Sequence, residues 1–379
     1  MRILITGGAG FVGSFLAEAL QRAGEQVRIF DSLDPQVHPA GSLNLYGFVS
    51  PSVVMPHGVE VIHGDMRNAD QVQAALAGVD AVVHFAAQVG VGQSMYDITR
   101  YVDQNVTGTA VLLERLAEAQ HRVRRIVVAS SMSIYGEGAY RCARCGDVAP
   151  VLREREQMQR GQWEVRCPVC DGETVPRPTP ETKRIAPTSV YAITKQAQEE
   201  LCLTVGRAYD IPTVALRFFN IYGPRQALSN PYTGLAAIFT SRLLNGRPPV
   251  VFEDGGQSRD FVHVSDAVQA TMLALTHPDV GHDVFNVGTG RAMSVLGVAE
   301  LLAERLRYQG PIQVEHTFRE GDIRHCVADI GAIQARLGFV PKVQLEDGID
   351  DLIIWARTQH ADDHFDRAAA ELAARRLTR

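Results

Sequence analysis

Short apolar runs rich in β-branched residues recur along the first part of the chain, and a longer segment with helical periodicity follows each of them. The runs are continuously apolar rather than alternating, which is typical of strands covered by helices on both faces. Their repetition predicts an α/β fold with a doubly wound parallel sheet. The predicted strands are RILIT from Arg2, QVRIFD from Gln26, VEVIHGD from Val59, DAVVHFAA from Asp80, RRIVVASS from Arg124 and PTVALRFFN from Pro212.

After about Gly223 the pattern changes to segments interrupted by Pro and Gly, with short predicted helices such as LAAIFTSRLLNG and MSVLGVAELLAERL. We expect a smaller, substrate-binding α/β domain here. The predicted organisation is a nucleotide-binding domain over 1–224, which contains a four-cysteine insert at 137–183, then a substrate-binding domain over 225–360. The remaining 361–379 is predicted to form a tail or a surface helix.

Composition limits the possible partners more than it limits the fold. The 379 residues are 46% hydrophobic and 21% charged, with a net charge of -6, so the chain can bury a large core. Because no overall positive charge would attract nucleic acid or anionic lipid, we expect neither as a partner. The N-terminus lacks the apolar core of a signal peptide, and no run reaches the roughly 18 apolar residues of a membrane span. We therefore expect a cytoplasmic enzyme.

A glycine-rich turn follows the first predicted strand. RILIT runs into GGAGFVGSFLAEALQRAG, which spaces Gly7, Gly10 and Gly13 as GxxGxxG where a helix begins. Bare backbone amides at a helix N-terminus attract a pyrophosphate, and Asp31, 18 residues past Gly13, can accept hydrogen bonds from ribose hydroxyls and repel a 2′-phosphate. Alone, each feature could be an ordinary turn or a solvated carboxylate. Together they predict a Rossmann-type site for NAD rather than NADP.

A second group of residues has the composition of a hydride-transfer site. The fifth strand ends in VVASSMSIYG, and SVYAITKQAQEEL places Tyr191 and Lys195 one helical turn apart. A phenol of pKa ~10 is a poor base, but an ammonium and a nicotinamide cation nearby would favour its phenolate. We predict that Tyr191 accepts a proton from a sugar hydroxyl and that Ser131 orients that oxygen. An isolated Tyr-x-x-x-Lys is also common on surface helices, so this prediction depends on the other motifs.

Further cofactor contacts are expected where the helix begins and at the carboxyl ends of the strands, where such sheets bind ligands. The predicted NAD-binding residues are Gly7, Gly10, Phe11, Val12, Gly13, Asp31, Asp65, Met66, Ala86, Ala87, Gln88, Asn105, Tyr191 and Lys195.

Up to about residue 355, the chain resembles the extended short-chain dehydrogenases/reductases that act on nucleotide sugars. The resemblance implies a nucleotide-sugar substrate and a homodimer. It also implies that Asn220 contacts the substrate together with Ser131, Ser133 and Tyr191, and that Arg259 and Arg324 bind the nucleotide diphosphate. The motifs that carry it are TGGAGFVG, HFAAQ, NVTGT, SSMSIYG, YAITK, RFFNIYGPRQ, GGQSRDFVHVSDAV, FNVGTG and REGDIRHCVAD.

The turn after the fifth strand separates the reactions of this family. Its sugar dehydratases have an acidic pair where this chain has Met132 and Ser133, and its decarboxylases keep a Glu where Ser133 stands. Neither residue here can serve elimination near neutral pH, so the resemblance implies 4-epimerisation through a 4-keto intermediate. Further motifs are similar to the group that converts dTDP-L-rhamnose to dTDP-6-deoxy-L-talose. A UDP-hexose or UDP-hexuronate 4-epimerase would use the same catalytic residues and stays an alternative, with a 4,6-dehydratase less favoured.

Two Cys-x-x-Cys pairs fall between Ser131 and Tyr191, in a stretch that family members without an insert lack. The pairs are Cys142 with Cys145 and Cys167 with Cys170. This spacing predicts a structural zinc knuckle, since four thiolates leave no open position for a substrate. Two disulfides or a redox pair are the alternatives. A different class of protein, an NAD-sensing scaffold with a partner-binding knuckle, also stays open, although a complete Tyr, Lys and Ser set favours an enzyme.

Overall fold

The computed structural model of the protein describes residues 1–38, 59–118 and 121–379. The strands of the described chain are β1 Arg2–Thr6, β2 Gln26–Asp31, β3 Glu60–His63, β4 Ala81–His84, β5 Ile126–Ser131, β6 Ala139–Cys142, β7 Gly146–Val148, β8 Thr174–Arg177, β9 Thr213–Phe218, β10 Asn220–Tyr222, β11 Val250–Val251, β12 Ser258–Arg259, β13 Phe261–His263, β14 Asp283–Val287, β15 Met293–Ser294, β16 Gln313–Val314 and β17 His325–Cys326.

Helices connect most of these strands. A π-helical stretch, Val102–Thr107, and a 3₁₀ turn, Met132–Tyr135, accompany the α-helices. The α-helices are α1 Phe11–Arg22, α2 Ala69–Leu76, α3 Val91–Ser94, α4 Ile98–Tyr101, α5 Gly108–Ala117, α6 Arg155–Gln159, α7 Val190–Ala208, α8 Leu235–Leu244, α9 Val264–Thr276, α10 Val295–Leu306, α11 Gly331–Leu337, α12 Leu345–Ala356 and α13 Phe365–Ala374. Within the described residues, no helix is both long and apolar enough to cross a membrane.

Seven strands form one large parallel sheet in the order β14-β9-β5-β4-β1-β2-β3. All six predicted strands belong to it, so the prediction of a parallel α/β sheet is confirmed. The registers are regular, with Ile3 of β1 opposite Val27 of β2 and Ala81 of β4. The seventh strand, β14, comes from the segment 225–360. The chain therefore crosses the boundary predicted at residue 224 and returns to the large sheet.

Helices cover both faces of this sheet, which explains the continuous apolar runs. Ile3 and Ile5 of β1 point into one core, which α1, α9 and α11 cover, whereas Leu4 points into another, covered by α2, α5 and α7. These three side chains are at most 1% exposed. Because neighbours along a strand face opposite sides, a strand buried on both faces needs apolar residues at every position.

Three smaller units surround the carboxyl end of the large sheet. A third apolar core joins α8, α10 and α12, in the segment predicted to bind substrate. The four-cysteine insert forms its own antiparallel sheet in the order β7-β6-β8. The C-terminal helix α13 buries Ala368 and Leu372 against the rest of the protein, so the end of the chain is packed rather than free.

A buried ion pair links α7 to β9. Arg217 donates to Glu199 with 2.6 Å between Nη2 and Oε1, and it also donates to the Tyr135 hydroxyl at 2.8 Å. Burial alone would lower the pKa of Arg217, but the hydrogen bonds and charge of Glu199 raise it above the ordinary value.

We expect Arg217→Met to cost about 3–5 kcal/mol in free energy of unfolding, because Glu199 is left as a buried charge without its partner. Urea unfolding followed by circular dichroism would measure the loss. The double variant Arg217→Met/Glu199→Met should regain most of it, since no buried charge remains. A double variant as unstable as the single one would contradict this account of the pair.

Candidate active site

A cavity of about 630 Å³ opens at the carboxyl ends of the parallel strands. One side consists of the turn after β1 and the ends of β2, β4 and β5, and the other side comes from segments after residue 218. This is where ligands bind in open α/β sheets. The predicted site residues that line the cavity are Gly7, Gly10, Phe11, Val12, Gly13, Asp31, Met66, Ala86, Ala87, Gln88, Ser131, Ser133, Tyr191, Lys195, Asn220 and Arg259.

The glycine-rich turn packs so closely on its neighbours that side chains are excluded. Gly7 has φ +68°, and a β-carbon there would lie 2.7 Å from the backbone nitrogen of Ala86. Asp31 fixes the same turn from β2, because its carboxylate accepts hydrogen bonds from the amides of Ala9 at 3.0 Å and Leu33 at 2.9 Å. The turn therefore presents backbone amides without side chains beside a carboxylate. The amides can bind a pyrophosphate, and the carboxylate can bind the hydroxyls of the adjoining ribose.

Two predicted cofactor residues lie outside the lining of the cavity. Asp65 pairs with Arg67 at 2.6 Å, and this hydrogen bond holds the pKa of Asp65 below its ordinary value. Asn105 is buried, where it accepts from the Gln88 amide at 2.7 Å and donates to Thr194 at 2.9 Å. Asn105 therefore connects Gln88, which lines the cavity, to Thr194 of α7 without lining the cavity itself.

The predicted catalytic residues come together at the start of α7 and the end of β5. Burial raises the pKa of Tyr191, and a hydrogen bond with Ser131 acts in the opposite direction. Burial lowers the pKa of Lys195 to about 8. The Ser131 hydroxyl accepts hydrogen bonds from the Ser133 amide at 3.1 Å and the Ser133 hydroxyl at 2.9 Å. The site thus combines a phenol, an ammonium and an oriented hydroxyl.

A buried polar network beneath Lys195 is absent from the sequence-based predictions. The Lys195 ammonium donates to Gln198 Oε1 at 2.8 Å, and the Gln198 amide donates to Thr109 at 2.9 Å. His84 joins this network, and its burial lowers its pKa to about 3, so it is neutral. Gln198 lies three residues after Lys195, and this spacing on one helix face is a signal that could have identified it.

On the side of the cavity that segments after residue 218 form, Asn220 and Arg259 have polar atoms available to a ligand. Asn220 Oδ1 is buried and has no hydrogen-bond partner among residues 1–38, 59–118 and 121–379. Arg259 donates to the backbone carbonyls of Ser258, Ile323 and Arg324. These neutral acceptors orient the guanidinium without neutralising its charge.

Arg324 is not among the residues that line the cavity, and its predicted contact with the diphosphate stays a prediction. Its guanidinium is 2.6 Å from both Glu164 and Asp254 and 3.0 Å from Glu253, so its hydrogen-bonding capacity is used by carboxylates. Arg319, five residues earlier, lines the cavity instead. Its guanidinium lies 4.7 Å from the centre of the Phe252 ring, and Asp322 holds it at 2.8 Å.

The four cysteines of the insert gather at one end of its small sheet. Their sulfur atoms all lie within 4.8 Å of one another, and those of Cys142 and Cys170 are 3.6 Å apart. Hydrogen bonds from the amides of Cys145 and Arg144 lower the pKa of Cys142 to about 6. All four cysteines are free thiols, so the structure contains no disulfide between them.

The insert is attached to the segment that carries Arg319. Its Glu164 binds both Arg324 and His325, the latter at 3.1 Å. Arg153, also from the insert, forms a buried pair with Glu253 at 2.8 Å. The four-cysteine unit therefore packs beside the substrate side of the cavity.

A glycine-rich strand-to-helix turn next to Asp31, together with Tyr191, Lys195 and Ser131, defines a dinucleotide-dependent enzyme that moves a hydride and a proton. The model of the NAD dependent epimerase/dehydratase family matches residues 3–152 and 168–288, and the chain belongs to this family. The gap in the match, 153–167, falls inside the predicted insert. Membership confirms the resemblance drawn from the motifs.

Individual relatives agree with this membership. The chain is 34% identical to a dTDP-L-rhamnose 4-epimerase of Burkholderia thailandensis, over 93% of this chain and 94% of that one. It is 31% identical to a dTDP-glucose 4,6-dehydratase of Streptomyces niveus, over 95% and 94% of the two chains. The structure of a Thermus thermophilus UDP-glucose 4-epimerase in complex with NAD superposes with a TM-score of 0.73 at 29% identity, covering 95% of this chain and 100% of that one. The protein is thus an NAD-dependent isomerase of the epimerase type.

We expect Tyr191→Phe to lower epimerase turnover by at least about 100-fold while the purified protein keeps its NAD, because the ring remains and only the proton acceptor is lost. Lys195→Met should remove the ammonium that favours the phenolate. The pKa of Tyr191 would then rise, and the pH at which activity appears should move upward.

The measurements are pH–rate profiles and the NAD released on denaturation. Ile193→Ala, an exposed position on the same helix, is the control and should behave as the wild type. Full activity in Tyr191→Phe would rule out this residue as the acceptor.

Proposed function

We propose that this enzyme is an NAD-dependent 4-epimerase of a nucleotide sugar, and that its substrate is dTDP-L-rhamnose, which it interconverts with dTDP-6-deoxy-L-talose. The observation that carries the proposal is the turn after β5. There, Ser131 faces Tyr191 and Lys195, while the two positions that would hold the acids of a dehydratase are Met132 and Ser133. The reaction available to this set of residues is oxidation and reduction at one carbon.

The proton steps follow from the geometry. The Tyr191 oxygen accepts the proton of the sugar C4 hydroxyl, with Ser131 hydrogen-bonded to the same oxygen and Lys195 stabilising the phenolate. When bound, NAD would supply the hydride acceptor for this oxidation and its reduced form the hydride donor for the reduction that follows. When the hydride returns to the opposite face of the 4-keto sugar, Tyr191 gives its proton back to the carbonyl oxygen. The residues that would hold the cofactor are the glycine turn and Asp31.

Elimination chemistry is disfavoured by the surroundings of the turn after β5. Met132 is 9% exposed and packs in an apolar cluster with Tyr135 and Phe219. The Ser133 hydroxyl donates to Ser131 and so supports the catalytic serine rather than acting as an acid. Without a carboxylic acid at these positions, the loss of water that a 4,6-dehydratase catalyses has no proton donor here.

We assign the diphosphate of the substrate to Arg259 and Arg319. Both line the cavity on its substrate side, where guanidinium groups can bind phosphate oxygens in a planar fork. The unpartnered oxygen of Asn220 lies on the same side and suits a sugar or base donor. We also propose that residues after 224 supply most of the nucleotide-sugar side and that the enzyme is a homodimer, as the family resemblance implies.

We expect NMR to detect conversion of dTDP-L-rhamnose to the C4 epimer, in a panel that also contains UDP-glucose and UDP-glucuronate. In deuterated water, C4 should acquire no deuterium, because the hydride returns from NAD and never exchanges with solvent. Deuterium at C4 would contradict hydride transfer. Conversion of UDP-sugars alone would keep the epimerase and overturn the rhamnose assignment, and a 4-keto-6-deoxy product would indicate a dehydratase.

We further propose that Cys142, Cys145, Cys167 and Cys170 hold one structural Zn²⁺. Zinc–sulfur bonds of about 2.3 Å in a tetrahedron require sulfur–sulfur distances of about 3.8 Å. The four sulfur atoms lie within 4.8 Å of one another, and those of Cys142 and Cys170 are 3.6 Å apart. Small shifts of the side chains would bring all the sulfur–sulfur distances to that value. A full shell of four thiolates would stabilise the fold of the insert and take no part in hydride transfer.

Elemental analysis should find about one zinc per chain, and Cys145→Ala should lose it together with thermal stability, because metal binding and folding of the insert are coupled. Cys202→Ala is the matched control, since Cys202 lies on the buried face of α7, away from the insert, and should leave the zinc in place. Metal-free protein with two disulfides in reducing buffer would overturn the zinc proposal.

A further inference from the structure

The C-terminal helix forms one wall of the cavity. Sequence analysis predicts a tail or a surface helix for 361–379, yet α13 faces the cavity along one side. The residues of this segment that line it are Phe365, Ala368, Ala369, Leu372 and Leu377. None of these side chains carries a polar group, so the face that α13 turns to the substrate is apolar.

One end of α13 meets the catalytic side of the cavity. A β-carbon added to Gly92 of α3 would lie 3.4 Å from Leu372 Cδ1, so the two elements are in contact there. In the same helix α3, the hydroxyl of Ser94 accepts a hydrogen bond from the Tyr191 amide at 3.0 Å. Leu372 is therefore separated from the first turn of the catalytic helix only by α3.

The residues after α13 meet the diphosphate side. The backbone of the C-terminus pairs with 318–320, with Glu320 donating to Leu377 at 2.9 Å and Phe318 donating to Arg379 at 2.8 Å. Arg319 lies within this paired stretch. In the proposed reaction the sugar lies between Tyr191 and Arg319, and the chain from Leu372, near the end of α13, to Arg379 extends from α3 to the stretch that carries Arg319.

Polar contacts on the flanks hold this wall in place. Glu371 Oε2 accepts from the hydroxyls of Tyr96 at 2.9 Å and Tyr232 at 3.4 Å, and these hydroxyls are 2.5 Å apart. Burial, followed by the hydrogen bonds to Tyr232 and Glu371, raises the pKa of Tyr96, so it remains a donor. Arg375 also lies over the Tyr96 ring, 4.2 Å from its centre. The helix is thus fixed through Glu371 and Arg375, which are not among the residues that line the cavity.

From this arrangement we propose that α13 is a specificity element of the substrate site, in which Leu372 and Ala369 cover C6 of the sugar and select a methyl group over a hydroxymethyl or carboxylate group. An apolar wall leaves a C6 hydroxyl or carboxylate without hydrogen bonds once water is excluded. The inference rests on the proposed 4-epimerase function and names the feature of the sugar that the enzyme recognises.

The test compares two substrates that differ by one oxygen atom, dTDP-L-rhamnose and dTDP-L-mannose, whose C6 groups are methyl and hydroxymethyl. We expect wild-type kcat/KM to favour the 6-deoxy sugar by about 10- to 100-fold. Leu372→Asn should reduce this ratio by about 10-fold or more, mainly by lowering the value for the 6-deoxy sugar. The matched control is Ala370→Asn, which places the same side chain on the exposed face of α13.

A milder variant covers the case in which Leu372→Asn does not fold. Ala369→Ser adds a single hydroxyl to the wall and should shift the ratio in the same direction, with circular dichroism confirming the fold. The inference is overturned if a folded wall variant changes kcat/KM for both sugars by the same factor, or changes neither.

Failure of the rhamnose assignment would have a different signature. If the wild type converts only UDP-sugars, the same variants are assayed with UDP-glucose and UDP-6-deoxyglucose. If the ratio of kcat/KM values for the two sugars shifts in Leu372→Asn but not in Ala370→Asn, the role of α13 in selecting the C6 group is supported whichever nucleotide the substrate carries. An unchanged ratio would reject it.

Discussion

The close contact between the glycine turn and the end of β4 is the constraint on which the active site depends. Gly7 leaves no room for a β-carbon beside Ala86, and this contact brings the N-terminus of α1 to the cavity that Ser131, at the end of β5, and Tyr191, at the start of α7, also line. A side chain at Gly7 would displace the turn and enlarge the space that the cofactor must fill. Asp31 reinforces the constraint from β2, since its carboxylate binds the amide of Ala9 within the turn.

Charge organises the opposite side of the cavity. Arg324 is enclosed by carboxylates from the insert and from the segment after residue 224, so its ion pairs join these two parts of the chain. The backbone carbonyl of Arg324 in turn accepts from Arg259, which does line the cavity. Breaking one partner of such a buried network leaves an uncompensated charge. The insert and Arg259 are therefore connected through Arg324, although none of the cysteines lines the cavity.

Much of this arrangement could be predicted because its signals are local. A strand buried on both faces is continuously apolar, and Tyr191 with Lys195 is a pair within one helical turn, so both appear in a short stretch of sequence. The function of an arginine has no such signal. The surroundings of Arg324 depend on Glu164, Glu253 and Asp254, which are distant from it along the chain and reach it only in the folded protein. For the same reason the sequence does not indicate that α13 lines the cavity. The residues that hold this helix in place, Tyr96 and Tyr232, are distant from it along the chain.

The two sides of the cavity are built from different parts of this protein. Ser131 lies at the end of β5 in the large sheet, and Tyr191 lies on α7, which covers that sheet. The segment 318–325 instead contacts the insert on one side, through Glu164, and the C-terminus on the other, through Leu377. Arg319 lies between these two attachments, so the position of its side chain depends on both the insert and the C-terminus. A family that shares one catalytic set can in this way contain enzymes for different nucleotide sugars.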